Sequence, residues 1–511
     1  MSKIEKAFNE IEKIVSSEYI TDKDFMKAAY SRNVDPAFPD RWADMIVRPK
    51  NTEEISEIVK IANKFKIDMV PRGGGADLVG GSVTEGGILL DLTRLNKIIE
   101  IHERDFYCEV QCGITWGKLL SELFKRDLTT GIVGPGSGYS ATIGGGLSNS
   151  TAGFGSTKYG LITDNCLGVE VVLPNPQGSI IKTGAAANKY ANPFCRYGVS
   201  PDFTGLFMGD VGTMGIKTKA FLRIYPNPPI KVLRNYILNK NDFDLVADLM
   251  FRVQNEVRDG IQDLYINPLV VVRLLASIAE KKPKKRAKLT GPVFMFILEA
   301  FDERIMEVYK EKIDNIMLKN DRARLFEWMD IDENEVSSEE WTFKLKFPYS
   351  YFNKFVALAP PKISCTTCHK LPISKIAEKR NFSSQFDVKH KDEFPDQSFS
   401  LFARSIHLLP NGHCVVAGGF NAENVDSQRD IAMNIWHKKV RAQVRYGGVH
   451  YWLGEAISQS LVEADAYTPE FIAFFKDMKK TVDPNFLLSP NKFHLYNFQD
   501  NITKYIVKDA E

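Results

Sequence analysis

Long apolar runs are missing from this chain of 511 residues. No stretch approaches the roughly 20 apolar residues that a membrane-spanning helix requires, and Pro268–Ile278 is short and interrupted by Arg273. A surplus of one charge is missing too. With 66 Lys and Arg against 64 Asp and Glu, the formal net charge is +2, so neither nucleic acid nor an anionic membrane is called for as a partner. Cysteine is sparse and odd in number, seven scattered residues, which argues against a disulfide framework and for a reducing compartment. The opening Met1–Ser17 has charged amphipathic spacing, not a basic segment followed by an apolar one, so it reads as a helix and not as a secretion signal. The expectation is a cytoplasmic protein with no transmembrane segment, any membrane attachment being made through another subunit.

What is present fits a soluble globular chain: 44% apolar and 25% charged residues. The length favours more than one core. We divide it into a helical segment 1–40, a glycine-rich α+β domain 41–226, a second α+β domain 227–445 with long charged helices, and a returning C-terminal segment 446–511. Thr52–Phe65 has apolar residues at helical spacing behind Asn51 as a cap. The short apolar strand Asp68–Pro71 runs into Arg72-Gly-Gly-Gly-Ala-Asp-Leu-Val-Gly-Gly81. Closely spaced glycines expose main-chain N–H groups that can cradle a pyrophosphate. The loop leads to another strand and not to a helix, and no Gly-Lys-Ser/Thr follows, so neither the Rossmann nor the Walker pattern applies. A second dense stretch spans Gly134–Gly146 and continues to Gly153, and a third spans Gly205–Ile216. Three such loops suit a long, extended ligand better than a mononucleotide.

In their order, these segments resemble the vanillyl-alcohol oxidase and p-cresol methylhydroxylase superfamily of flavoproteins. The matching segments are Pro71–Gly75, Leu89–Lys97, Thr142–Gly145, Tyr159-Gly160, Val169–Pro174, Lys182–Gly184, Gly212–Ile216 and the closing Val482–Phe493. The resemblance implies a PCMH-type FAD-binding domain of two α+β subdomains, with an α+β cap domain built on an antiparallel sheet. It assigns the pyrophosphate to Arg72, Gly73, Gly74, Gly75, Ala76, Asp77 and Gly80. The ribityl chain and ring fall to Pro135, Gly136, Ser140, Thr142, Ile143, Gly144, Gly145 and Gly153. Gly212, Gly215, Ile216 and Asn491 complete the FAD site. Many relatives tether the flavin through a histidine after the first glycine triplet. Here that residue is Ala76, so non-covalent FAD is expected, with His407, His413 or Tyr451 as remaining tethers.

For the substrate side, Phe402–Cys414 reads as a hairpin about Pro410-Asn-Gly412, with Arg404 and Ile406 on one face, Ser405 and His407 on the other. The segment Tyr446–Glu455 keeps Tyr451 where the phenol-oxidising branch has a phenolate-binding tyrosine, but has Trp452 in place of its arginine; His450 and Glu455 loosely match the hydroxy-acid branch. His450 or His407 is therefore expected as proton acceptor, with Arg404 or Tyr451 orienting an oxygen. Cys365-Thr-Thr-Cys-His369 raises a zinc or iron site of Cys365, Cys368, His413 and Cys414, beside the plainer reading of packing cysteines. The basic Lys281–Lys288 reads as a solvated loop, or as a docking site for an acidic electron-transfer partner or an anionic lipid surface.

The expected activity is FAD-dependent dehydrogenation of a small alcohol or 2-hydroxy acid, with electrons passed to a protein acceptor such as an iron–sulfur subunit, in a homodimer or hetero-oligomer. Para-substituted phenol oxidation, an alkylglycerone-phosphate synthase-like step and a substrate-free electron-relay subunit are the alternatives.

Overall fold

The computed structural model of the chain describes residues 1–31, 41–77, 79–198, 200–268, 291–325, 362–395, 405–423, 425–451, 454–490 and 492. Arg404, Trp452, Asn491 and the basic run Lys281–Lys288 lie outside these residues.

The N-terminal residues are not a purely helical appendage. Helix Lys3–Val15 opens with a Ser2/Glu5 capping box and packs on helix Thr52–Phe65 in one core cluster. Between helices, β1 (Ile20–Thr21) joins a four-stranded sheet with β2 (Met45–Val47), β3 (Met69–Arg72) and β4 (Ile88–Asp91), in the order β1-β2-β4-β3. The reason is local: Ile20 has an apolar side chain to bury, and β1 pairs antiparallel with β2 at Ile20↔Val47. The β3–β4 pairing is parallel, with helix Thr52–Phe65 between β2 and β3. Asn51 caps that helix by accepting from the Glu54 amide at 2.8 Å.

The second subdomain contains β5 (Ile98–His102), β6 (Tyr107–Gln111), β7 (Leu128–Thr129), β8 (Cys166–Val172), β9 (Ile180–Lys182), β10 (Ile216–Arg223) and β11 (Tyr225–Pro226). Five of these form an antiparallel sheet ordered β5-β6-β10-β8-β9, while β7 pairs with β11. Helix Trp116–Phe124 and the fully buried Trp116 close its core.

The cap contains β12 (Ile230–Leu238), β13 (Ile261–Asn267), β14 (Val293–Ala300), β15 (Ala323–Leu325), β16 (Lys362–Thr366), β17 (His369–Pro372), β18 (Ser405–Leu409), β19 (His413–Ala417), β20 (Gly419–Glu423) and β21 (Val449–His450). Eight of them form one sheet, ordered β15-β12-β14-β13-β18-β19-β17-β21, and β16 pairs with β20. One face of the large sheet carries Phe294, Phe296, Leu298, Leu264, Ile266, Ile406, Leu408, Cys414 and Val416, which pack with helices Phe243–Glu256, Glu303–Met317 and Ile376–Lys389. Alternation along each strand sends the residues between them to the opposite face, and that face meets the first domain.

The C-terminal segment packs on the first domain. After helix Pro469–Val482, Leu488 bridges to Met69, and Ser489 donates to Gly212 O at 2.9 Å. Lys479, fully buried, donates to Asp483 at 2.7 Å, to Thr213 O at 2.6 Å and to Leu488 O at 3.0 Å.

Candidate functional site

β3 ends at Arg72 and the chain turns through Gly73–Gly75. Arg72 does not reach outward. Its guanidinium folds beneath its own loop, donating to Ser82 O at 3.1 Å and lying 5.3 Å from the Tyr30 ring. Asp77 likewise serves the loop, accepting from Gly81 N at 2.8 Å and Val79 N at 3.2 Å. These side chains shape the turn and leave the Gly74, Gly75 and Ala76 amides with no acceptor among the described residues. Gly75 holds φ +62°, in the left-handed region that favours glycine.

The second loop packs against the first. A Cβ on Gly73 would collide with Thr142 Oγ1, and one on Gly74 with the Ser140 carbonyl. Thr142 caps the short helix Ile143–Ser148, accepting from Gly145 N at 3.3 Å. Gly144 N donates to Cys112 O at 2.8 Å, and Gly153 bridges to Pro135. The third loop closes the ring: Gly212 lies against Pro71 and Ser489, and Gly215 against Val171 and Phe207. Ile216 then opens β10, and Lys492 donates to Gly80 O at 2.7 Å from the C-terminal segment. The loops containing Arg72–Gly80, Pro135, Gly136, Ser140–Gly145, Gly153 and Gly212–Ile216 are thus gathered into one rim of bare main chain. This rim fits a diphosphate-linked cofactor, whose anionic centre is matched by undonated amides and not by a buried carboxylate.

Opposite the rim stands the cap sheet. Cross-strand pairing places Tyr265, His407, Val415 and Lys370 in one row on β13, β18, β19 and β17. Tyr265 stacks on His407 with centroids 4.1 Å apart and meets Phe154 edge-on at 5.2 Å. His407 Nε2 lies 2.7 Å from Oδ1 of the fully buried Asp263. The same oxygen accepts from the Thr157 hydroxyl at 2.8 Å and its amide at 3.3 Å. Helix Ser156–Tyr159 of the first domain is thereby fastened to the cap, and buried Glu299 adds a second hold on it through Lys158 at 2.7 Å and Tyr159 Oη at 2.6 Å. Tyr451 Oη accepts from the Ala152 amide, next to Gly153. Ala152 and Leu161 from the first domain join Cys368, Leu409, Val415, Ala417 and Tyr451 of the cap in one small apolar cluster. Lys370 Nζ lies 5.8 Å from the Tyr451 ring, and burial pushes its pKa down from the usual lysine value. His413 is also lowered, first by burial and then by Lys370. Beside helix Ser156–Tyr159 the seam opens into a cavity of about 500 Å³ lined by Lys158, Asp164, Arg223, Tyr225, Pro226 and Phe301.

The FAD binding domain family matches residues 43–184. Over 215 residues the chain is 35% identical to glycolate oxidase subunit GlcD of Bacillus subtilis, which spans 42% of this chain and 43% of that protein. It is 26% identical to the mitochondrial D-lactate dehydrogenase [cytochrome] of Arabidopsis thaliana, over 88% of this chain and 73% of that one. Among solved structures, 4-ethylphenol oxidase from Gulosibacter chungangensis superposes with TM-score 0.79 at 18% identity, covering 96% of this chain and 97% of that one. p-Cresol methylhydroxylase gives 0.77 at 16% identity, covering 96% of both. Residues 43–184 form an FAD binding domain, and the chain as a whole has the p-cresol methylhydroxylase fold.

In this flavoprotein Ala76 offers only a methyl group, so the first loop holds no tether. Two of the sequence-derived candidates for catalysis, His407 and Tyr451, lie on the cap face that meets the FAD domain. His450 does not. It pairs with His369, which pairs with Val416 in the row of Ile406, on the face packed against helix Ile376–Lys389. Adjacent residues of an extended strand point to opposite faces, so His450 and Tyr451 are separated by the sheet itself.

The zinc or iron reading is corrected on the same ground. Cys365 packs with Phe420 and Trp436, Cys368 with Leu161 and Tyr451, and Cys414 in the helix-covered core, three separate clusters. His413 and Cys414 are neighbours on one strand and face opposite ways. Among the described residues no group of three His, Cys, Asp or Glu side chains is placed to hold a metal ion. No described helix is long and apolar enough to cross a membrane.

Sequence reasoning missed Asp263, Tyr265 and Lys370. The signal was there for the first two: Ile261–Asn267 alternates, with Asp263, Tyr265 and Asn267 on one face and Leu264 and Ile266 on the other.

Proposed function

We propose that the protein dehydrogenates a small alcohol of the 2-hydroxy acid class, with His407 taking the hydroxyl proton. The observation that supports this most is the buried His407–Asp263 pair, set on the cap face that meets the FAD domain. A carboxylate against Nε2 fixes that nitrogen as the N–H, so Nδ1 carries the lone pair that accepts a proton. Asp263 then balances the imidazolium charge in a site with little water. Tyr265 holds the ring plane by stacking, and Thr157 ties Asp263 to the FAD domain, so base and cofactor loops keep one geometry. The apolar cluster of Ala152, Leu161, Leu409, Val415 and Tyr451 excludes water beside them. FAD bound on the glycine loops supplies the hydride acceptor, and the electrons pass on to a protein or other acceptor. The D-lactate dehydrogenase and glycolate oxidase relatives favour a hydroxy acid.

The test is anaerobic mixing of the FAD-loaded protein with glycolate, D- and L-lactate, simple alcohols and para-alkylphenols, following flavin bleaching. Hydroxy acids bleach it in this reading, and His407→Asn slows that step by about two to four orders of magnitude. Bleaching by phenols alone, or by no small molecule, removes the proposal; the second outcome marks an electron relay.

A further inference from the structure

Strand β9 (Ile180–Lys182) is the outer edge of the five-stranded sheet, with β8 on one side and no described strand on the other. Thr183 N donates to Val169 O at 2.9 Å and Leu173 N to Ser179 O at 2.8 Å. Alternation along the strand therefore turns the main-chain groups of Ile180 and Lys182 outward. An open edge of this kind is a template for another chain, and proteins commonly guard it with charge. Here the one charge on the strand, Lys182, leans back toward Glu170 of β8 at 3.9 Å. Ile180 stands 43% exposed beside it.

The chain leaves β9 through a loop, 184–203, whose ends are pinned together. Thr204 Oγ1 donates to Thr183 Oγ1 at 2.8 Å, and Ala185 N donates to Cys195 O at 2.9 Å. Arg196 grips Asp202 through Nε at 3.1 Å and Nη2 at 2.8 Å. The loop is thus compact and held at the end of β9. Its aromatic side chains nevertheless turn out: Tyr190 is 86% exposed, Tyr197 67%, Phe194 57% and Phe203 50%. At about 200 Å² per aromatic side chain they leave about 500 Å² of ring surface in water. Single exposed apolar residues are ordinary, but four aromatics on one pinned loop mark an interaction site.

The area fits one kind of partner. One side of a standard interface is about 800 Å², and about 65% of a homodimer interface is apolar, which is again about 500 Å². The charges point the same way. Arg196 is engaged by Asp202 and by Thr163 O at 2.7 Å, and Lys189 Nζ lies 4.8 Å from the Tyr190 ring. Strand and loop carry no block of one charge for an acidic protein or an anionic lipid surface to match.

We propose that β9 and the 184–203 loop form a two-fold interface between two copies of this chain, joining their five-stranded sheets edge to edge. A symmetric interface sets the same patch against itself, and a two-fold axis at Ile181 supplies the register. Ile180 then faces Lys182 of the second copy, and Lys182 faces its Ile180. No like charges meet, and about four main-chain hydrogen bonds close the edge.

The test is sedimentation equilibrium of the FAD-loaded full chain over a wide concentration range, where wild type should reach twice the chain mass. Tyr190→Ser combined with Tyr197→Ser should weaken association by at least about a hundred-fold. Ile180→Lys sets like charges against Lys182 of the opposite copy and should weaken it by about tenfold, while Ile180→Glu, meeting the same lysine with opposite charge, should not. All three positions are exposed, and flavin content and melting temperature show that each variant folds. A wild type that stays a monomer overturns the proposal, as does a monomer captured by vesicles of anionic lipid. A dimer that the paired tyrosine change leaves unweakened overturns it too, and equal effects of Ile180→Lys and Ile180→Glu overturn the edge-to-edge register.

Discussion

Replacing Asp263 by Asn alters one atom of charge and almost no volume, which makes it the sharpest probe of the proposed proton acceptor. Asp263 is wholly buried, and its Oδ1 accepts from His407 and twice from Thr157. An amide oxygen can still accept from Thr157, so the domain contact survives in part. What is lost is the carboxylate opposite the ring. Two opposite unit charges about 4 Å apart at an effective dielectric constant of about 20 attract by about 4 kcal/mol. If about half a proton charge has reached His407 in the transition state, about 2 kcal/mol is lost, or about thirty-fold in rate; full transfer costs about a thousand-fold. The assay is the anaerobic flavin-reduction rate with a saturating hydroxy acid, recorded from pH 5 to 9. A rate within about threefold of wild type would refute the reasoning.

Gly75→Ala forces a Cβ into left-handed backbone at φ +62° and against the Arg72 guanidinium, at a strain of about 1–2 kcal/mol; FAD should dissociate more readily, and an unchanged dissociation constant by flavin fluorescence would count against the cradle. Lys479→Met strands the buried Asp483 carboxylate, an expected loss of about 3–5 kcal/mol that calorimetry would register as a much lower melting temperature. His369 and His437 are buried, and burial holds their folded pKa values down to about 3 and about 4. Because the unfolded chain binds their protons first, near pH 6.5, each stabilises the fold above that value and loses about 2 kcal/mol of it by pH 5. Melting temperature should therefore fall steadily from pH 7 to 5, and His437→Gln should flatten part of that slope; a melting temperature independent of pH in that range contradicts it.

Local chemistry made much of the fold readable. Asn51 before an apolar-periodic run marked the Thr52–Phe65 helix, and Pro410-Asn-Gly412 marked a hairpin whose Asn411 and Gly412 both take positive φ. The glycine loops were readable for the same reason, since main-chain density without side chains has few other uses. The strand Ile20–Thr21 was not, because two residues have no period to detect and its partner lies some 26 positions along the chain. His450 was attractive for its place beside Tyr451 in the sequence. Adjacency in a strand, however, is the surest way for two side chains to be parted. Asp263 and His407 are 144 residues apart, and only the pairing of β13 with β18 unites them.

The glycines also carry a different burden from the one their spacing suggests. Gly73 and Gly74 are bare because Thr142 and Ser140 occupy the space a Cβ would need, and Gly212 because Pro71 and Ser489 approach it. Arg72 and Asp77 turn back onto their own loop rather than toward a ligand. The loops are therefore pressed together first, by protein–protein contact, and the amides of Gly74–Ala76, which donate to no described residue, are what that packing leaves over. A site built this way is rigid before the cofactor arrives. Its rigidity is fixed from three sides: by Lys479 and Lys492 of the returning C-terminal segment, by Thr157 under Asp263, and by Lys158 under Glu299. Because Thr157 serves both the docking of the cap and the carboxylate behind His407, the same contact that joins the domains also sets the proposed base. In that proposal cofactor placement and proton transfer are two consequences of one interface, and a substitution that loosens it should degrade both together.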